Sequence, residues 1–236
     1  MKRVLLGVGA LALLVGASTF STAAAQEVPV CGAPGEEVPA TIVGSGTLVG
    51  TPGDDVIVGS SRADHIIGGP GDDVICSEGG NDLVNGGPGN DELIGDELDS
   101  APFAPSNGNN DDHLSGGPGD DEVVGLGGND ALDGGPGDDT VIGMGGDDTI
   151  GAGPGLDTAF GGPGVDNVAG DVGDDTLFGN YGSDVVSGGP GDDFIDGDNP
   201  TPPPAGPLPF PPGGNEDNCA GGPGEDLILN CETTTA

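Results

Sequence analysis

The sequence has almost nothing from which an ordinary globular core is built. Its 236 residues include no tryptophan, one tyrosine and six phenylalanines. Only three side chains are strongly basic, Lys2, Arg3 and Arg62, against 41 acidic ones. No apolar run reaches the ~18 residues that a membrane-spanning helix requires. Each shortage excludes something. With so few large apolar side chains, burial cannot offset the ordering entropy of a conventional domain. A surface this acidic is a poor partner for nucleic acid and anionic membranes, and a good one for multivalent cations. Gly-x-Ser-x-Gly, HExxH and P-loop segments are also missing, which removes the commonest hydrolase and nucleotide-binding signatures. What remains in quantity is glycine, at 52 positions, and proline, at 22. That composition alone reads as disorder, unless a pattern imposes order on it.

The start of the chain has its own logic. Lys2 and Arg3 precede a short apolar run from Val4 to Val15, and Ala23-Ala24-Ala25 precedes Gln26. This is the arrangement of a secretory signal peptide over residues 1–25, so a secreted, extracellular protein is expected. Its removal leaves Arg62 as the only strong cation. Four cysteines follow, Cys31, Cys76, Cys219 and Cys231. An even number in an exported chain favours disulfides over metal ligation or catalysis. Three pairings are open. Cys31–Cys76 with Cys219–Cys231 is preferred, because each bridge then staples one end of the region between them.

That region is a repeat of nine residues. From Gly50 the rows read GTPGDDVIV (50–58), GSSRADHII (59–67), GGPGDDVIC (68–76), SEGGNDLVN (77–85) and GGPGNDELI (86–94). After extra residues 95–106 the register resumes with NGNNDDHLS (107–115) and runs through ten rows to GGPGDDFID (188–196). Extra residues 197–211 precede PGGNEDNCA (212–220) and GGPGEDLIL (221–229). In all seventeen rows position six is aspartate: Asp55, Asp64, Asp73, Asp82, Asp91, Asp112, Asp121, Asp130, Asp139, Asp148, Asp157, Asp166, Asp175, Asp184, Asp193, Asp217 and Asp226. Position eight is apolar throughout, mostly aliphatic, with Ala159 and Cys219 as the small members. A disordered polar tract has no reason to keep either column.

The row has a physical reading. Glycine at positions one, two and four lets six residues curl into a tight turn. The last three residues suit a short strand that sends position eight inward and positions seven and nine outward. A second period of eighteen lies on top of the first. Position three is proline in eight of nine odd rows, from Pro52 to Pro223, but in only one of eight even rows, at Pro163. Both insertions enter just before even rows. Two rows therefore make one coil, with a regular odd edge and an irregular even edge.

The row GGxGxDxUx resembles the RTX (repeat-in-toxin) nonapeptide, a calcium-binding repeat. The resemblance implies an all-β parallel β-roll, a two-sheet right-handed β-helix of about seventeen rows with calcium between loops of successive coils. It also implies that the seventeen sixth-position aspartates ligate Ca²⁺ together with loop carbonyls, a hard-oxygen set suited to that ion. The expected organisation is a signal peptide (1–25), a lead-in and cap (26–49), the roll (50–229) and a tail (230–236). One feature departs from the family pattern. An N-terminal signal with disulfide staples is not the usual export arrangement, so toxin activity is not inherited from the resemblance.

The expected role is that of a secreted calcium-binding structural or interaction protein without catalysis. The paired aspartates recur in most rows, whereas an active site is a single constellation. His65 and His113 fall at position seven and should face outward. An adhesion or surface- or ice-binding module is the alternative, on the strength of Thr140, Thr158 and Thr176 in one column. Position nine of the odd rows forms an apolar column (Val58, Cys76, Ile94, Val124, Ile142, Phe160, Phe178), a candidate surface for self-association or another partner, or for cover by residues 26–49. The proline-rich stretch 199–212 reads as extended polyproline.

Overall fold

The computed structural model describes residues 30–31, 38–96, 110–198, 217–231 and 233–235. The expected signal peptide, the proline-rich stretch and most of both insertions lie outside the described residues. Within them the chain is a parallel two-sheet β-solenoid with no helix. Each sheet has ten strands. One sheet takes the odd rows and the other the even rows, and every in-sheet pairing is parallel. Between successive rows of one sheet the register is eighteen residues wherever no insertion intervenes: Val56 pairs with Val74, and Thr140 with Thr158.

This architecture follows from the two columns read in the sequence. Position eight lines the interior, where residues from Ile57 to Cys219 form one continuous buried cluster between the sheets. Each row contributes one such side chain, so the core is a single file and the glycine turns must bring the sheets close together. Position four shows why glycine is needed there. At Gly119 the backbone has φ 149°, and a Cβ would strike the carbonyl oxygen of Gly89 in the neighbouring coil. Loops stack backbone on backbone here, which a side chain at Gly119 would not permit.

Several strands are longer than the three residues expected. Glu122–Gly127, Thr140–Gly145 and Thr158–Pro163 each continue six residues, through position three of the following row. Position two of those following rows holds Leu126, Met144 and Gly162 at φ 79°, 74° and 117°. The stack also extends beyond the seventeen rows. Ile42–Val43 joins the odd sheet beside Ile57 and Val58, and Thr47–Val49 joins the even sheet beside His65–Ile67. At the other end Thr233–Thr235 pairs with Asn218–Ala220.

Both disulfides take the preferred pairing, Cys31–Cys76 and Cys219–Cys231. The first pins an antiparallel pair, Val30–Cys31 with Val38–Pro39, over the outer face of the odd sheet. Val58, Cys76 and Ile94, expected on an outer column, are buried there with Cys31, and Ala40 packs against them. Cys31 and Ala40 therefore cover the start of the apolar column, at Val58, Cys76 and Ile94. Further along, Phe160 and Phe178 are half-buried and stacked with centroids 4.8 Å apart, and Phe194 tilts against Phe178 at 5.9 Å. His65 and His113 are exposed on the even sheet.

Candidate metal centre

The sixth-position aspartates sit where each turn enters its strand, and all but Asp226 are buried. Their two carboxylate oxygens do different things. Oδ1 accepts a hydrogen bond from the backbone N–H of the sixth residue in the preceding coil. Asp55 N–H donates to Asp73, Asp73 to Asp91, Asp121 to Asp139 and Asp130 to Asp148, at 2.8 to 2.9 Å. These bonds form an unbroken ladder along each edge, and the ladders cross both insertions: Asp82 N–H reaches Asp112, and Asp184 N–H reaches Asp217.

Oδ2 behaves otherwise. In thirteen of these residues, from Asp73 to Asp193, it is buried with no hydrogen-bond partner. Where the row begins with glycine, Oδ2 lies against that glycine; in most such rows the position-one carbonyl of the next coil is close by. A Cβ built on Gly134 would come within 2.7 Å of Asp139 Oδ2 and 2.5 Å of the Ala152 carbonyl oxygen. The Ala152 carbonyl accepts from the Gly135 N–H at 3.2 Å, whereas Asp139 Oδ2 has no donor. In the first two rows local donors fill the need. Thr51 N–H reaches Asp55 Oδ2 at 2.5 Å, and Ser60 gives its N–H and hydroxyl to Asp64 Oδ2 at 2.7 and 2.9 Å.

Burial raises the carboxyl pKa values, and neighbouring carboxylates add to the rise, while the backbone hydrogen bonds oppose it. The Asp166 carboxyl is pushed up to about 9 and Asp112 to about 8. Asp121, Asp130 and Asp184 reach about 7. Asp82, Asp91, Asp139, Asp148, Asp157 and Asp175 reach about 6. A buried carboxylate column without cations is under electrostatic stress, which either protons or a metal can relieve.

The structure adds residues that the repeat alignment misplaced. Gly95 takes position one of the sixth row, not Asn107: its Cβ would meet Asp112 Oδ2 at 2.6 Å, as at the other glycine row starts. Gly197 stands in the same relation to Asp217, in place of Pro212. Both insertions therefore open inside a loop, after its first two residues, and not ahead of the row. The signal was the Gly-Asp pair that directly follows each completed row, Gly95-Asp96 and Gly197-Asp198.

A second ladder went unread. Position-five side chains accept from the next coil, opposite in sense to the first. Asp72 N–H donates to Asp54, Asn90 to Asp72, Asp120 to Asn90, Asp138 to Asp120 and Leu156 to Asp138, at 3.0 to 3.1 Å. Asn129, Asp147 and Val165 make the same series on the even edge, each at 2.9 Å. These bonds explain why aspartates come in pairs. The inner one faces the buried edge and the outer one ties the loop surfaces together.

The arrangement offers hard oxygen donors: carboxylates, and carbonyls from glycine turns. Among the described residues no three acidic, histidine or cysteine side chains gather around one point. An ion between coils has to combine carboxylates with backbone carbonyls, a mixture that suits calcium. Among the described residues no helix is long and apolar enough to cross a membrane.

Comparison with known proteins agrees with this geometry. No curated protein matches the chain. Seven overlapping segments match the RTX calcium-binding nonapeptide repeat (4 copies), at residues 49–84, 77–97, 106–141, 124–159, 133–168, 142–177 and 169–199. Together they cover more than half of the sequence, and the chain belongs to the RTX calcium-binding nonapeptide repeat family.

Proposed function

We propose that this is a secreted protein whose β-roll is ordered by calcium, with a structural or interaction role and no catalysis. The observation that carries the reading is the column of thirteen buried, unpartnered Oδ2 atoms. The seventeen sixth-position aspartates are the assigned ligands, with loop carbonyls completing each shell. Secretion is supported by the signal-like residues 1–25 and by two disulfides. A non-catalytic role is supported by the recurrence of the same carboxylates along the whole stack.

The interaction surface is the outer face of the odd sheet beyond the disulfide-pinned cover, where Phe160, Phe178 and Phe194 form one aromatic cluster. Thr140, Thr158 and Thr176 lie in register beside it, but the column continues into Phe194. Three threonines make a short surface for ice, so adhesion through the aromatic cluster is the better form of the alternative.

Circular dichroism of the signal-free protein, with calcium and then with excess chelator, tests the calcium reading. Loss of β-structure on chelation is expected, with rescue by added calcium. Full β-structure in chelator overturns it. Nine odd rows enclose eight gaps and eight even rows seven, so fifteen ions is the ceiling for the stoichiometry. Replacing Phe160 and Phe178 with serine and comparing oligomeric state and surface binding tests the interaction face.

A further inference from the structure

The loop of the sixth row is unlike the others. Acidic residues stand at position two in four loops, as Glu78, Asp96, Asp171 and Asp198. Only Asp96 is more than nine-tenths buried, at 6% exposure. Its Oδ1 accepts from the Asn110 side chain at 2.6 Å, which joins the two stems of the first insertion. The Gly127 backbone amide also supports the carboxylate. Its Oδ2 is buried without a hydrogen-bond partner.

The surroundings make this carboxylate hard to explain as packing alone. Asp82 acts on it electrostatically, and it acts in turn on Asp112 and Asp130. These three belong to successive coils of the even edge. Arg62, the one lysine or arginine among the described residues, is exposed at position four of the second row. A buried carboxylate beside others of like charge needs a cation to be stable in its charged form. Gly95, the residue before Asp96, lies against the unpartnered Oδ2 of Asp112.

We propose that Asp96 is an additional calcium ligand, which with Asp112 and loop carbonyls forms a site that the nine-residue repeat does not itself encode. The assignment rests on the calcium reading above. It gives the even edge one gap with an extra carboxylate, at the point where the first insertion leaves the roll. Since divalent-ion affinity rises with the number of charged ligands, this gap binds calcium more tightly than its even-edge neighbours.

The test compares calcium titrations, by calorimetry, of the wild type, Asp96→Asn and Asp112→Asn. Asp96→Asn keeps the shape and an acceptor for Asn110 but removes the charge. It should lose one ion per chain, or weaken one site about tenfold, with the β-structure of the calcium-saturated protein unchanged by circular dichroism. If Asp96→Asn titrates as wild type while Asp112→Asn does not, Asp96 is only the clamp of the insertion and the proposal is wrong. If both titrate as wild type, the calcium reading itself fails. Asp96→Gly, which restores the residue commonest at this position, serves as the second variant should the amide fold poorly, and is read by the same criteria.

Discussion

The two edges of the roll carry the same aspartate ladder in different surroundings. The odd edge has proline at position three in nearly every row and runs without interruption. The even edge holds Arg62 and opens for both insertions. The even edge also holds the most strongly raised carboxyls, Asp166 at about 9 and Asp112 at about 8, whereas Asp91, Asp139, Asp157 and Asp175 on the odd edge lie near 6. Near neutral pH the odd edge is therefore largely ionised and ready for a cation, while parts of the even edge hold protons that a cation must displace. One repeat thus yields two kinds of site, and burial sets the difference.

The largest effect expected is that of pH on the calcium-free roll. These carboxyls have folded pKa values above the ordinary 3.8, so between about pH 4 and 9 the folded state binds more protons than the unfolded one. Stability must then fall as pH rises through that window. In excess chelator, β-structure followed by circular dichroism should be greater at pH 5 than at pH 9. Calcium should reverse the trend, because it replaces the proton. A calcium-free roll that is more stable at pH 9 would refute the account of the carboxylate columns.

Next in size is the backbone contact that the edges share. Gly119 on the odd edge and Gly128 on the even edge both have positive φ, at 149° and 140°, and both abut a carbonyl of the neighbouring coil. Gly119→Ala and Gly128→Ala should each destabilise the calcium-loaded protein by about 3 kcal/mol in thermal or denaturant unfolding. A much smaller loss at one of them would mean that the edges differ in loop stacking as well as in charge.

A finer separation comes from single ligands. Asp139→Ala on the odd edge should lower calcium affinity near pH 7 more than Asp130→Ala on the even edge, since Asp139 lies near 6 and Asp130 near 7. The pre-set turn at Pro136 adds to the difference. Equal losses in calorimetry would abolish the distinction. The smallest signal is proton release. Calcium added at pH 7 should liberate protons, measured in weakly buffered solution, and Asp166→Asn should reduce the yield more than Asp157→Asn. At pH 10 the release should vanish.

The sequence was informative where the physics repeats. One aspartate and one apolar residue per row, with proline every second row, specified two parallel sheets, the inward column and the eighteen-residue register. It was less informative where the repeat stops. Asn107 was aligned as a row start because the count of nine was resumed after the insertion, whereas Gly95 completes the turn before the chain leaves it. Ile42–Val43 and Thr233–Thr235 carry no aspartate, and only the pairing of their backbones reveals them as strands. The six-residue strands were hidden for another reason: stacked turns make hydrogen bonds that alternation of side chains does not report. The burial of Val58 and Ile94 goes with the Cys31–Cys76 bridge, the pairing preferred from the sequence, which brings Cys31 over this column.

The opposed ladders have a consequence for how such a chain changes length. Every rung joins residues one coil apart, and in the sixth-position ladder every coil presents the same donor and acceptor to the coil on either side. A coil of eighteen residues can be duplicated or deleted, and its neighbours meet partners identical to those they had before. A gain or loss of nine is different. It exchanges the edges for all rows that follow, placing proline turns on the face that accommodates the insertions and moving Cys219 to the sheet opposite its present one. Selection acting on this fold can vary its length freely only in steps of two rows.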